Sequence, residues 1–137
     1  MKQMLSALLV AAASLGHAQV TTVEVFANSA THVLQPTQPP YVLKVYRLDA
    51  MAQIGQQITQ QLPAGEEQAK LYMQQHEAQI RAKYKSQIVN AANGMSLAIH
   101  YKLDRVPAVV INRSSIIYGV SDVNQAVQLF LQSRGRQ

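Results

Sequence analysis

Residues 97–119 read LAIHYKLDRVPAVVINRSSIIYG. Their opening closes a helix. Val106-Pro107-Ala108-Val109-Val110-Ile111-Asn112 is a short apolar run rich in β-branched residues, which marks a strand. Arg113 and Ser114 make a tight turn, and residues 115–120 form a partner strand closed by Gly119, a residue suited to a positive φ angle. Ser121 or Asp122 then caps a last helix, with Val123, Val127, Phe130 and Leu131 turned inward. This part of the chain therefore predicts a hairpin followed by a helix.

Working outward, residues 22–27 (TVEVFA) alternate β-branched and aromatic residues and predict a first strand. Residues 28–40 are rich in turn formers and end in Pro39-Pro40, so they read as a loop, with a short helical turn placed near residues 31–34. Residues 41–48, YVLKVYRL, predict a second strand. Asp49 is placed to cap a helix that runs to about Leu62, with Met51, Ile54, Ile58 and Leu62 on one face. Pro63-Ala64-Gly65 ends it. From Glu66 onward, Ala69, Tyr72, Met73, His76, Ile80, Tyr84, Ile88, Ala91, Met95 and Ala98 recur at helical period. Glu66 and Glu67 sit in the first turn, where the helix dipole favours negative charge. Asn93-Gly94 is expected to break this region into helices over about 66–91 and 94–102. The order is strand, loop, strand, helices, strand, hairpin strand, helix. It predicts an α/β fold, with helices on the faces of a mixed sheet of about four strands. The helical insertion precedes the strand opened by Pro107.

The N-terminal residues are MKQMLSALLVAAASLGHAQV. Lys2 supplies a positive n-region, Met4 opens an apolar run broken only by serines, and Gly16-His17-Ala18 supplies the small residues of a cleavage site. This pattern predicts a signal peptide over 1–18, cleaved after Ala18, and hence export. The run is too short to span a bilayer, which takes about 20 apolar residues. Residues 19–137 suit a single domain.

The formal net charge of +5 is scattered. Arg81, Lys83 and Lys85 share one helical stretch, and Arg134 and Arg136 lie near the end. We read these as solvated faces and expect no direct contact with nucleic acid or membrane. The chain has no cysteine, which removes thiol redox chemistry, thiolate metal sites and disulfides.

Catalytic constellations fail on spacing. His76-Glu77 begins HEAQI, but the second histidine of a metalloprotease helix would fall at Ile80. Ser114 and Ser115 lie in the turn, without a nucleophile elbow. Glu66 and Glu67 are adjacent on a helix, so they point apart. No glycine-rich phosphate loop is present. The expectation is a protein that is not an enzyme, with no cofactor, no metal and no small-molecule substrate.

The segment 97–119 resembles the second half of thioredoxin-like domains, where a helix feeds a loop and a cis-proline opens a strand. The resemblance implies a cis Val106–Pro107 bond and a single thioredoxin-like domain over 19–137. A narrower likeness covers nearly all of the chain after the signal. VEVFANS, VYRLDAMAQI, LPAG, NAANGMSLAIHY, VPAVVIN and IIYGVSDVNQAV, in that order, are similar to the DUF1525 group of exported proteins encoded within integrating conjugative elements. That likeness implies a periplasmic location and a non-catalytic role in assembly or function of a conjugative (type IV secretion) DNA-transfer apparatus, with other periplasmic proteins of that machinery as partners. The rival expectation is a periplasmic chaperone or adaptor for extended segments of exported proteins. Redox thioredoxins carry their cysteines just after the first strand, where this chain has Asn28-Ser29-Ala30-Thr31-His32. By the same resemblance, a partner segment would bind in a groove formed by Asn28, Ser29, Ala30, Thr31, His32, Arg105, Val106 and Pro107.

Overall fold

Strand β1, Thr22–Ala27, is buried on both faces. Val23, Val25 and Ala27 point to one layer, and Glu24 and Phe26 to the other. Such a strand needs helices on both sides. The computed structural model, which describes residues 19–135, supplies them. The proposed signal segment lies outside the described residues.

The remaining elements are β2 (Val42–Arg47), α1 (Ala50–Gln61), α2 (Glu66–His100), β3 (Ala108–Ile111), β4 (Ser115–Tyr118) and α3 (Val123–Arg134). They form a mixed four-stranded sheet in the order β2-β1-β3-β4. β1 pairs parallel with β2 and antiparallel with β3, and β3 pairs antiparallel with β4. The expected α/β class and the helices between β2 and β3 are both present. All four residues of β3 are fully buried. Against one face, Val123, Ala126 and Phe130 of α3 pack on Val23, Val25, Val109 and Ile111. Against the other, Leu97, Ala98 and Tyr101 cover Phe26, Tyr46, Ala108 and Val110. Phe26 stacks on Tyr46 at 5.2 Å and meets Tyr101 edge-on at 6.0 Å.

The expected break at Asn93-Gly94 does not occur. Helix α2 runs unbroken for 35 residues, or about 52 Å at the usual rise per residue. Gly94 is a contact point instead. A Cβ built there would lie 2.7 Å from Cβ of Tyr46, so only glycine lets the helix lie flush on β2. Beyond that contact the helix outruns the sheet, and α1 packs beside it, burying Ile54 and Tyr84. Near the contact, Asn90 Nδ2 donates to the carbonyl of Val45 at 3.2 Å. The amides of Val42 and Leu48 donate to Thr21 and Ala27 in the direction of β1. Strand alternation therefore turns the main-chain groups of Leu43, Val45 and Arg47 to the free edge.

Local details differ from expectation in four places. Asp49 makes no side-chain cap to α1, because Ser29 takes its carboxylate. The turn after β1 closes from Thr31 back to Asn28, ahead of the region expected for it. The hairpin turn uses Asn112 and Arg113, both at positive φ, with Ser114 N–H bonded to the Ile111 carbonyl. Leu131 and Met95 are exposed, since the inward stripes pass through Phe130 and Gly94, and Met51 in the first turn of α1 is exposed as well. Other local expectations hold. Asp122 caps α3 by accepting from Asn124 and Gln125, Gly119 has φ +78°, and the Val106–Pro107 bond is cis.

Replacing Gly94 by Ala separates the two roles of this residue. An alanine in a helix interior gains about 1 kcal/mol over glycine. Forcing its Cβ against Tyr46 costs about 1–3 kcal/mol by overpacking. We expect a net loss, read as a lower urea midpoint; an unchanged or raised midpoint would refute the close-contact role.

Candidate functional site

The sheet register brings the two halves of the expected groove to one end of the molecule. Phe26 pairs with Ala108, so the chain leaving β1 at Asn28 lies beside the chain entering β3 at Pro107. Asn28, Ser29, Ala30, His32 and Arg105 are exposed, while Thr31, Val106 and Pro107 are half-buried.

Each half is tied to a different neighbour. Arg47 Nη1 donates to the carbonyls of Asn28 and Thr31, both at 2.7 Å. The amide and hydroxyl of Ser29 donate to the Asp49 carboxylate, and Gln53 donates to the Ser29 hydroxyl. The Ser29 hydroxyl bond is the main cause that holds the Asp49 carboxyl below the usual carboxylate range. Further along, buried Val33 anchors the loop in the core, and Leu34 bridges to Asp122 at the start of α3. On the other half, the Arg105 guanidinium lies 4.3 Å over the Tyr118 ring. The Tyr118 hydroxyl accepts from the Asp104 amide. The Pro107 carbonyl accepts from the Gly119 amide at 2.9 Å. The 28–32 loop is therefore a latched surface beside Pro107, held through Ser29 and the carbonyls of Asn28 and Thr31.

Ser29, Arg47, Asp49, Gln53 and Asn90 also line an open polar cleft of about 450 Å³ between β2, α1 and α2. Sequence reasoning gave Asp49 a capping role and missed this cluster. The signal was there in Arg47 and Asp49, a close charged pair at the exit of a strand. It also missed Glu24, a carboxylate in the middle of an apolar strand. Glu24 is only 8% exposed, and the Tyr101 hydroxyl donates to its Oε1 at 2.6 Å. Burial, and then the Glu24 hydrogen bond and charge, push the Tyr101 phenol up to about 12; Arg113 opposes this. His76 is structural: its Nδ1 lies 2.9 Å from the Tyr72 carbonyl, and its ring stacks on Tyr72 at 4.1 Å.

A family model described as "Protein of unknown function (DUF1525)" matches residues 9–136. The chain belongs to the DUF1525 family. The matched span takes in every described element from β1 to α3, including the latched loop and the cis-proline. Searches of the curated proteins and of the solved structures found no significant match. What can be said of a site in this DUF1525 chain therefore comes from its own geometry.

The Tyr101–Glu24 bond sets a pH dependence. The folded phenol titrates at about 12, above its ordinary 10.0, so the unfolded chain ionises first. The stability from this group is complete below pH 10.0 and is lost as pH rises towards about 12. Tyr101→Phe should be less stable than the parent at neutral pH and should flatten the alkaline fall in denaturation midpoint. An equally steep fall in the variant would show that Tyr101 is not its source.

Proposed function

We propose that this DUF1525 chain is a non-catalytic periplasmic component that supports assembly or function of the conjugative (type IV secretion) DNA-transfer apparatus of an integrating conjugative element. The observation that carries the reading is the latched loop at the thiol position of thioredoxin-like proteins. There the chain places Asn28, Ser29, Ala30, Thr31 and His32, with no cysteine anywhere. Arg47 and Asp49 hold that loop from within. A segment so fixed suits docking better than redox turnover. The sheet order β2-β1-β3-β4 and the cis bond before β3 support the thioredoxin-like relation.

A partner segment lying in extended form against this end of the sheet would bind by main-chain pairing, with neighbouring side chains giving selectivity. Pro107 has no N–H, and its carbonyl is already bonded to Gly119. Pairing therefore falls to Arg105 and Val106, with His32 across the groove. The partners are other periplasmic proteins of the conjugation machinery. Export follows from the signal-like sequence of residues 1–18.

Transfer from a donor deleted in frame for this gene tests the reading. Loss of transfer that is rescued by the full chain, but not by a copy lacking residues 1–18, is the expected result. Undiminished transfer would overturn it. Arg105→Glu combined with His32→Ala should reduce in vivo crosslinking to machinery proteins without lowering the amount of folded protein; unchanged crosslinking would remove the groove from the account.

A further inference from the structure

A second cleft lies on the α2 face of the sheet, away from the 28–32 loop. It has a volume of about 250 Å³ and is lined by Thr22, Glu24, Val42, Lys44, Leu97 and Arg113, beside Tyr46. We propose that it binds a small zwitterion, an α-amino acid with an aliphatic side chain. The ammonium would sit at Glu24, and the carboxylate between Lys44 and Arg113.

The argument begins with Glu24. A buried charge is expensive, and it is normally kept by a close opposite charge. Tyr101 gives one neutral hydroxyl to one oxygen of this carboxylate. Among the described residues the ion pair within 4.0 Å is Arg81–Glu77, on the exposed face of α2, so neither Lys44 nor Arg113 closes on Glu24. Lys44 is nonetheless the direct cross-strand neighbour of Glu24, on the same face of the sheet. Arg113 comes from the hairpin turn, where positive φ angles at Asn112 and Arg113 set the direction of the chain. Carboxylate and cations thus share one cleft without touching.

Ligand chemistry follows from that separation. A simple anion would meet Lys44 and Arg113 but be repelled by Glu24. A simple cation would meet the reverse. A molecule with both charges satisfies both ends. The volume falls below the roughly 300–1,000 Å³ of sites for drug-sized ligands, which suits a guest of amino-acid size. Leu97 and Val42, the latter 59% exposed, offer apolar surface for an aliphatic side chain. Thr22 also lines the cleft, and its Oγ1 is buried with no hydrogen-bond partner, a polar group that a bound amine or carboxylate could satisfy.

Calorimetric titration of the purified protein with L-leucine, isoamylamine and 4-methylpentanoate tests the proposal. The last two probes each keep the aliphatic group and one of the two charges. L-leucine should bind saturably, and each single-charge analogue at least roughly tenfold more weakly, the value of one charged hydrogen bond. Arg113→Ala and Lys44→Ala change exposed side chains, so the fold should survive, and each should weaken L-leucine binding. Glu24→Gln should abolish it. No saturable binding of L-leucine, equal binding of the three probes, or full binding by Arg113→Ala and Glu24→Gln would each overturn the proposal. Because the readout is binding by the isolated protein, its failure leaves the conjugation reading standing, and the reverse holds too.

Discussion

Helix α2 can cover the sheet because one of its residues has no side chain. Where Gly94 passes over Tyr46, backbone and ring approach more closely than any other residue would allow. Several contacts depend on that approach. Tyr46 is pressed flat onto Phe26, Leu97 and Ala98 reach the sheet one turn later, and Tyr101 arrives over Glu24. The glycine also fixes the height of α2 over the sheet, and α1 packs along that helix. A looser contact would separate the helix from the sheet at the layer where the larger aromatic residues lie.

The four strands, their order along the chain and the three helical regions were legible in the sequence, because each follows a local period. Residues 106–112 show this most clearly: a proline, an apolar run and a turn leave little choice. The glycine at position 94 was misread because local propensity and tertiary packing give opposite answers. Beside Asn93 it looks like a break, yet a partner 48 positions earlier in the chain decides its role. Asp49 was misread for a related reason. Its position before a helix suits a cap, but Ser29 in a remote loop competes for the same oxygens. Leu131 and Met95 lie one step off the inward stripes of α3 and α2, and periodicity alone does not resolve one step.

The sites divide along the same line. Juxtaposition of the 28–32 loop with Pro107 follows from strand order and register, so a sequence reading could place those residues at one end of the sheet. The latch on that loop could not be foreseen, since Arg47 and Asp49 act on residues about twenty positions away. Glu24 lay in plain view as a charge in an apolar strand. Its meaning required knowing that Lys44 and Arg113 line one cleft with it and that Tyr101 bonds it from α2's end. Both polar clusters lie where loops or helix ends meet the rims of a rigid sheet, which holds the side chains in place while leaving them open to a guest.

The hydrogen bond from Asn90 to the carbonyl of Val45 has one further consequence. β2 is an edge strand, and its outward main-chain groups offer a template on which another strand could grow. Asn90 occupies the middle acceptor of that template, and α2 stands beside it as a wall. A strand added at this edge would have to displace Asn90 at the middle of the ladder. The side chain that bonds the helix to the strand is thus also the kind of edge cover that discourages sheet-to-sheet pairing.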